Sequence, residues 1–459
     1  MAQPASQFAK VTRNDWLALV KVAPETLISR LEDEIQLEPV YAKAEGRSFA
    51  RAAPGWRVMA RIDDPDPVRA NAQALEDLEG GADGLELIFA EANGAYGFGL
   101  ANHDKATIAQ IFERVRFDAN LRIALSLGPD AFEQAAAFAR HVQTEEALVG
   151  RLQIHFGLDP VGALARSGYV IEDWREGGRR LARNVSALRG RGFFGPFVCA
   201  DGRVAHDAGA TPAQELAYVL SSSVAYLRAL ESQGLVEAFN AIEFRLSADA
   251  DQLVGLAKFR ALRLLWRRIS DACGVSPTPA QIHGASSWRM MSRRDLHSNI
   301  LRSALAGFSA GLGGADSVSL LPFTQPLGLP DAFARRLARN TQLIMLEEAH
   351  LGFVEDPAAG AGAFEALTQA LCERAWRRFQ ELEALGGICE ALSSGALQRD
   401  IFDAAALRAV GGDKSTSDEF QAPQAKARAN SPGQHVDQTT PSGLALTPQR
   451  LHEPSDHVS

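Results

Sequence analysis

Cysteine is scarce. Cys199, Cys273, Cys372 and Cys389 are the only ones, widely separated and with no C-x-x-C pair. That spacing argues against a zinc or disulfide framework and fits a reducing compartment. Long apolar runs are missing as well: nothing approaches the roughly 18 residues of a membrane span, so no membrane association is expected. The opening "MAQPASQFAKVTRNDW" has no apolar core of a secretory signal, and the predicted location is cytoplasmic. Basic charge is not in excess. A net charge of −9 and a pI near 5.7 argue against a nucleic-acid binder that works by neutralising phosphates. No G-x-G-x-x-G follows the first predicted strand, and the glycines of "AGFSAGLGGADSVSLLPF" (306–323) are not spaced as a P-loop.

What the 459 residues do contain is enough apolar material for a large core, 46% of the chain. They also contain a repeat of structural type. Apolar segments at 56–62, 84–91, 122–128, 151–158, 193–200, 241–248, 280–287 and 316–323 are each followed by a helical pattern. The segments are short and rarely alternate, as strands buried on both faces do. Eight strand-then-helix units predict an α/β fold, a closed (β/α)8 TIM barrel with parallel strands and right-handed crossovers. A doubly wound open sheet is the alternative.

Around the barrel (51–355) the chain divides into an N-terminal arm (1–50), predicted helical and ending in extended "LEPVY", a C-terminal helical extension (356–410) and a tail (411–459). In the extension, "LTQALCERAWRRF" has the spacing of one helix face, and Gly386-Gly387 marks a stop and restart. The tail is rich in Ser, Pro, Gln and Asp and poor in large apolar residues, so disorder is expected.

In such a barrel, ligands bind at the C-terminal ends of the strands. The residues to inspect there are Asp63, Asp64, Glu91, Asp159, Asp201, Arg203, His206, Asp207, Ser286 and Arg289. Gln153, His155 and His283 lie in strands as further barrel-mouth candidates. A cluster of His and Asp suits general acid/base work, and Arg289, Arg293 and Arg294 could grip a phosphate. The blander reading is that each is a loop former, a helix cap or a solvated charge. The residues alone stop at a barrel with a small-molecule site of unassigned chemistry.

"GGADSVSLLPFTQPLGLPDAFARRLARNTQLIMLEEAHLGFVEDPAAGAGAFEALTQAL" (313–371) resembles the end of the barrel in methylmalonyl-CoA mutases, as "PETLISRLEDEIQLEPVY" resembles their arm and "DAGATPAQELAYVLSSSVAYLRAL" their fifth barrel helix. The resemblance covers about residues 15–405. It implies a radical rearrangement of an acyl-CoA with adenosylcobalamin, the CoA tail threading the barrel axis and a cobalamin domain capping the mouth.

The departures from that pattern are informative. Catalytic members carry Gly-Tyr-His-Met-Gln-Glu-Ala-Gly-Ala after the fifth strand, where this chain has Gly202-Arg203-Val204-Ala205-His206-Asp207-Ala208-Gly209-Ala210. Arg203 thus replaces the family tyrosine and Val204 the histidine that donates to the thioester; valine cannot donate. Ala285 falls at the family glutamine after the seventh strand. The tyrosine segment near the first strand and the Asp-x-His-x-x-Gly cobalamin loop have no counterpart in this sequence. Loss of one such donor costs roughly 10²–10³-fold in rate. The losses resemble the small, non-catalytic subunit of heterodimeric mutases, which implies a large-subunit partner and no cobalamin held by this chain alone. The alternatives are an active barrel completed by a separate cobalamin-binding protein, with Arg203 meeting a different acyl carboxylate, and an acyl-CoA-binding sensor.

Overall fold

A computed structural model describes residues 11–46, 51, 54–117, 120–144, 153–168, 174–235, 237–276, 278–411 and 445–450. Its centre is one eight-stranded parallel sheet: β1 (Arg57–Ile62), β2 (Gly84–Ile88), β3 (Arg122–Ser126), β4 (Gln153–His155), β5 (Val198–Asp201), β6 (Ile242–Ala248), β7 (Gln281–Ser286) and β8 (Ser317–Ser319). Adjacent strands pair in sequence order, and β8 pairs with β1. A bridge between Leu158 and Val198 joins β4 to β5 and closes the ring. The predicted barrel is therefore present. Strand β5 starts later than the sequence suggested, since Pro196 has no N–H to give the ladder.

The helices begin where the sequence punctuates them. Asp66 accepts from the Val68 and Arg69 amides to start α2 (Pro67–Glu79), Asp159 caps α5 (Pro160–Ser167), and Thr211 forms a capping box on α8 (Pro212–Glu231). Between these come α3 (Lys105–Ile111), α4 (Ala131–Gln143), α6 (Trp174–Gly190) and the short α7 (Arg203–Asp207). Helices α9 (Gln252–Ala272), α10 (Ser298–Gly313) and α11 (Ala332–Leu343) complete the outer layer. Of α5 the sequence announced only the start, Asp159 before Pro160; it is an extra helix lodged between β4 and the barrel helix α6.

The arm is less helical than its sequence suggested. Among the arm's described residues only α1 (Arg13–Leu19) is an α-helix; 3-10 turns and a two-residue antiparallel ladder, 29–30 against 36–37, follow. Asp33, at φ 58, turns its carboxylate onto the start of α8, accepting from Thr211 Oγ1 at 2.6 Å and from the Ala213 amide at 3.0 Å. The C-terminal extension is three helices, α12 (Gly362–Ala384), α13 (Ile388–Ser393) and α14 (Ala396–Gly411), with Gly386 and Gly387 at positive φ between the first two, as expected. Arg260 of α9 ties it to the barrel by ion pairs to Asp356 (3.0 Å) and Glu365 (2.9 Å). Of the predicted disordered tail, most lies outside the described residues. Six of its residues, 445–450, are placed against the barrel, with Ala445 and Leu446 buried.

Candidate functional site

Charge fills the inside of the barrel. Inward positions on β2, β6 and β7 carry Glu86, Glu243, Arg245 and His283, none more than 5% exposed. Arg245 donates to Glu243 (2.7 Å) and to Ser126 Oγ (2.6 Å), and Ser126 donates to Glu86 (2.8 Å). Glu86 Oε1 also lies 3.5 Å from Arg203 and 3.7 Å from Arg245. His155 pairs closely with Glu243. His283 is bracketed by the hydroxyls of Ser317 (2.9 Å) and Ser319 (3.0 Å), and Ser319 donates on to Glu86 (3.2 Å).

The geometry of these contacts matters more than their number. In an eight-membered ring β2 is a neighbour of neither β5 nor β6. Contacts from Glu86 to Arg203, which follows β5, and to Arg245 on β6 therefore reach across the barrel interior.

Burial alone would raise the Glu86 carboxyl, but Arg203, His283, Arg245 and Arg61 hold it well below the usual carboxylate range. Glu243 is likewise held low against burial by Arg245 and His155. Burial drives His283 down to about 4 although Glu86 pulls the other way. The interior is thus a compensated network of carboxylates and arginines with neutral imidazoles among them.

The mouth lies above this network. Asp201, ending β5, holds Arg203 in a two-point pair, Nε at 2.9 Å and Nη2 at 2.6 Å. Arg61 donates to the Gly94 carbonyl (2.8 Å) and sits 3.4 Å from Asp63, which Arg335 also grips at 2.8 Å. Tyr96 donates to Asp207 at 3.0 Å and stacks on Trp288, centroids 4.4 Å apart. The other Asp207 oxygen is buried without a hydrogen-bond partner. Burial pushes this carboxyl up to about 7, against the opposing pull of Tyr96, Arg203 and Arg289.

His206 does not face an open funnel. It is 1% exposed, with Nε2 2.8 Å from Ser287 Oγ and Nδ1 3.3 Å from Glu215, which Lys258 neutralises. Burial, with Arg289 and Lys258 nearby, depresses the imidazole well below its usual value, so it is neutral and occupied. Val204 is buried in the apolar core at 3% exposure, and Ala285 is buried on β7.

The remaining sequence candidates separate. Gln153 opens β4, so it sits at the N-terminal end rather than the mouth, and bonds Asn120 at 3.2 Å. His155 and His283 point inward, below the mouth. Arg289 is spent on the carbonyls of His206 (3.1 Å) and Ala210 (2.9 Å), while Arg293 and Arg294 are exposed and offer no phosphate cradle with it. Asp159 caps α5 and binds Tyr226, Asp64 pairs with Arg69, and Ser286 Oγ accepts from the Leu321 amide. Among the described residues no trio of His, Cys, Asp or Glu is arranged to hold a metal.

Sequence reasoning missed Glu86, Glu243, Arg245, Tyr96 and Trp288. A signal for two of them was present: "IEFRLSA" places Glu243 and Arg245 two apart in an otherwise apolar strand, which is the spacing of one barrel-facing side.

Across the mouth lie residues 445–450. The Leu446 amide donates to the Ala165 carbonyl and the Gln449 amide to the Asp207 carbonyl, both at 2.8 Å. The Arg450 guanidinium stands 5.1 Å over the Trp288 ring.

Comparison with known proteins gives a consistent result. A family model described as methylmalonyl-CoA mutase matches residues 195–417. The chain is 36% identical to a methylmalonyl-CoA mutase small subunit from Streptomyces virginiae, over 85% of this chain and 66% of that protein. It is 37% identical to the small subunit from Propionibacterium freudenreichii subsp. shermanii, over 73% of this chain and 51% of the relative. It is 48% identical to a probable small subunit from Mycobacterium bovis, over 59% and 45%. The chain spans about half to two thirds of the length of these relatives.

Proposed function

The chain belongs to the methylmalonyl-CoA mutase family, and we propose that it is a small-subunit-like barrel, not catalytic alone, that pairs with and stabilises a catalytic, cobalamin-dependent large subunit in the cytoplasm. One observation carries the reading: Glu86, Arg203 and Arg245 meet across the barrel interior. An acyl-CoA threaded through that interior would have to separate buried ion pairs. Removing one partner from such a pair costs about 3–5 kcal/mol, because the other charge is left desolvated.

The residues that would handle substrate support the same reading. Val204 and Ala285 offer no donor to a thioester oxygen. Arg203, the replacement for the family tyrosine, is fully engaged by Asp201 and Glu86 and has no reach to spare for an acyl carboxylate. Adenosylcobalamin does not suit the described residues either: His206 is enclosed by Ser287 and Glu215, and residues 445–450 cover the mouth. The cofactor, in this reading, is held by the partner.

Co-expression with a methylmalonyl-CoA mutase large subunit is expected to yield a complex that co-purifies and melts at a higher temperature than the large subunit alone. The chain by itself, given adenosylcobalamin and methylmalonyl-CoA, is expected to form no rearranged acyl-CoA. Turnover on adding only a separate cobalamin-binding protein would overturn the proposal in favour of an active barrel completed in trans.

A further inference from the structure

The placed part of the tail uses groups that the barrel leaves over. Ala165 lies in the last turn of α5 and Asp207 is the last residue of α7. Carbonyls at helix C-termini have no amide within their own helix to accept from. Those of α5 and α7 are neighbours on the C-terminal face, and they receive the Leu446 and Gln449 amides at 2.8 Å each. Between the two anchors Pro448 brings no amide that would need a partner. Leu446 is 1% exposed and joins the main apolar core. At the far end Arg450 stands over Trp288, whose other neighbour is Tyr96, itself bonded to Asp207. Two main-chain hydrogen bonds, a buried leucine and a cation over an indole are the elements with which peptide grooves recognise extended segments.

We propose that the mouth of this barrel is a peptide-binding site, occupied in cis by residues 445–450. Its ligand class is an extended segment with a small residue and a leucine at one end and a cation four positions beyond the leucine. Residues 445–450 act as a strap over the face where other barrels take their small molecules. Any partner segment of the same pattern must displace it. The inference stands on contacts within this chain and holds whether or not it pairs with a large subunit.

The test uses the full chain and a labelled, end-capped peptide Ala-Leu-Thr-Pro-Gln-Arg, with binding read by fluorescence anisotropy. The substitution Leu446→Asp should undock the strap, since it would bury a carboxylate in the apolar core. The peptide should then bind the L446D chain at least tenfold more tightly than the unaltered chain, where the tethered copy competes at high effective concentration. Peptides with Leu→Asp or Arg→Glu should lose at least tenfold in affinity for the L446D chain. Circular dichroism confirms that the variant stays folded. Should it not fold, hydrogen exchange on the unaltered chain decides: the Leu446 and Gln449 amides should be protected and should open together, at a lower cost than the barrel strands. Equal peptide binding by both chains, no binding by either, or unprotected Leu446 and Gln449 amides would overturn the inference.

Discussion

Val204 shows how much one side chain can settle. It sits at 3% exposure in the apolar core, on the short helix that follows β5, where catalytic relatives of the resemblance place a histidine. Restoring the imidazole does not restore a site, because the position faces packed hydrocarbon. Val204→His is expected to lower stability by about 1–3 kcal/mol, the cost of a buried polar group without a partner, and to give no turnover with acyl-CoA and adenosylcobalamin. Thermal melts and a product assay check both halves. The adjacent Arg203 was legible as a departure from the family pattern. Its two-point pairing to Asp201 and its reach to Glu86 were not, since Glu86 is far away in sequence.

At the scale of elements, the capping chemistry was readable: carboxylates or threonine followed by proline announced α2, α5 and α8. The link between the arm and α8 was not. Asp33 supplies a second acceptor to the first turn of α8, through Thr211 and the Ala213 amide. Helix α8 begins just after α7 and the short turn that follows it, so the arm helps to set where the mouth lies. Asp33→Ala is expected to cost about 1 kcal/mol, like the loss of an N-cap, with a matching drop in the urea midpoint and no change in its slope. Faster hydrogen exchange at Ala213 would locate the effect. For α5 only the entry signal was legible; its extent was not, because its eight residues are few and an isolated helix of that length has little stability of its own.

The whole molecule responds to pH through its buried charges, and the signs differ. Glu86 and Glu243 have folded values below their unfolded ones, so their contribution is present above about pH 4.5 and is lost as pH falls further. His283, lowered from 6.5 to about 4, resists protonation in the fold, and stability falls as pH drops through that window. Asp207 runs the other way. Its folded value of about 7 stands above 3.8, so the stability due to its protonated form is lost as pH rises from 3.8 through 7. The chain is therefore expected to unfold steeply in acid. Asp207→Asn should match the unaltered chain near pH 4, gain stability relative to it up to pH 7, and hold a constant gain above that. Urea titrations across pH 4–9 read the difference directly; a constant gain at all pH values would assign Asp207 an ordinary carboxyl.

The fold was available from local pattern because a strand buried on both faces must be apolar throughout and a parallel sheet needs a helix at every crossover. Eight such alternations leave little but a closed barrel, and the order of residues along the chain is enough to count them. The state of the barrel's interior was not available in that way. Whether Arg245 lies along a wall or reaches toward Glu86 depends on strands four apart in the ring coming within one side chain's length of each other. The same holds for the strap: Ala445 and Leu446 lie in a polar, low-complexity tail, and their burial requires two helix ends, contributed by distant segments, to present unpaired carbonyls side by side. Local sequence carries propensity and period, while the meeting of charges across a barrel is a property of closure.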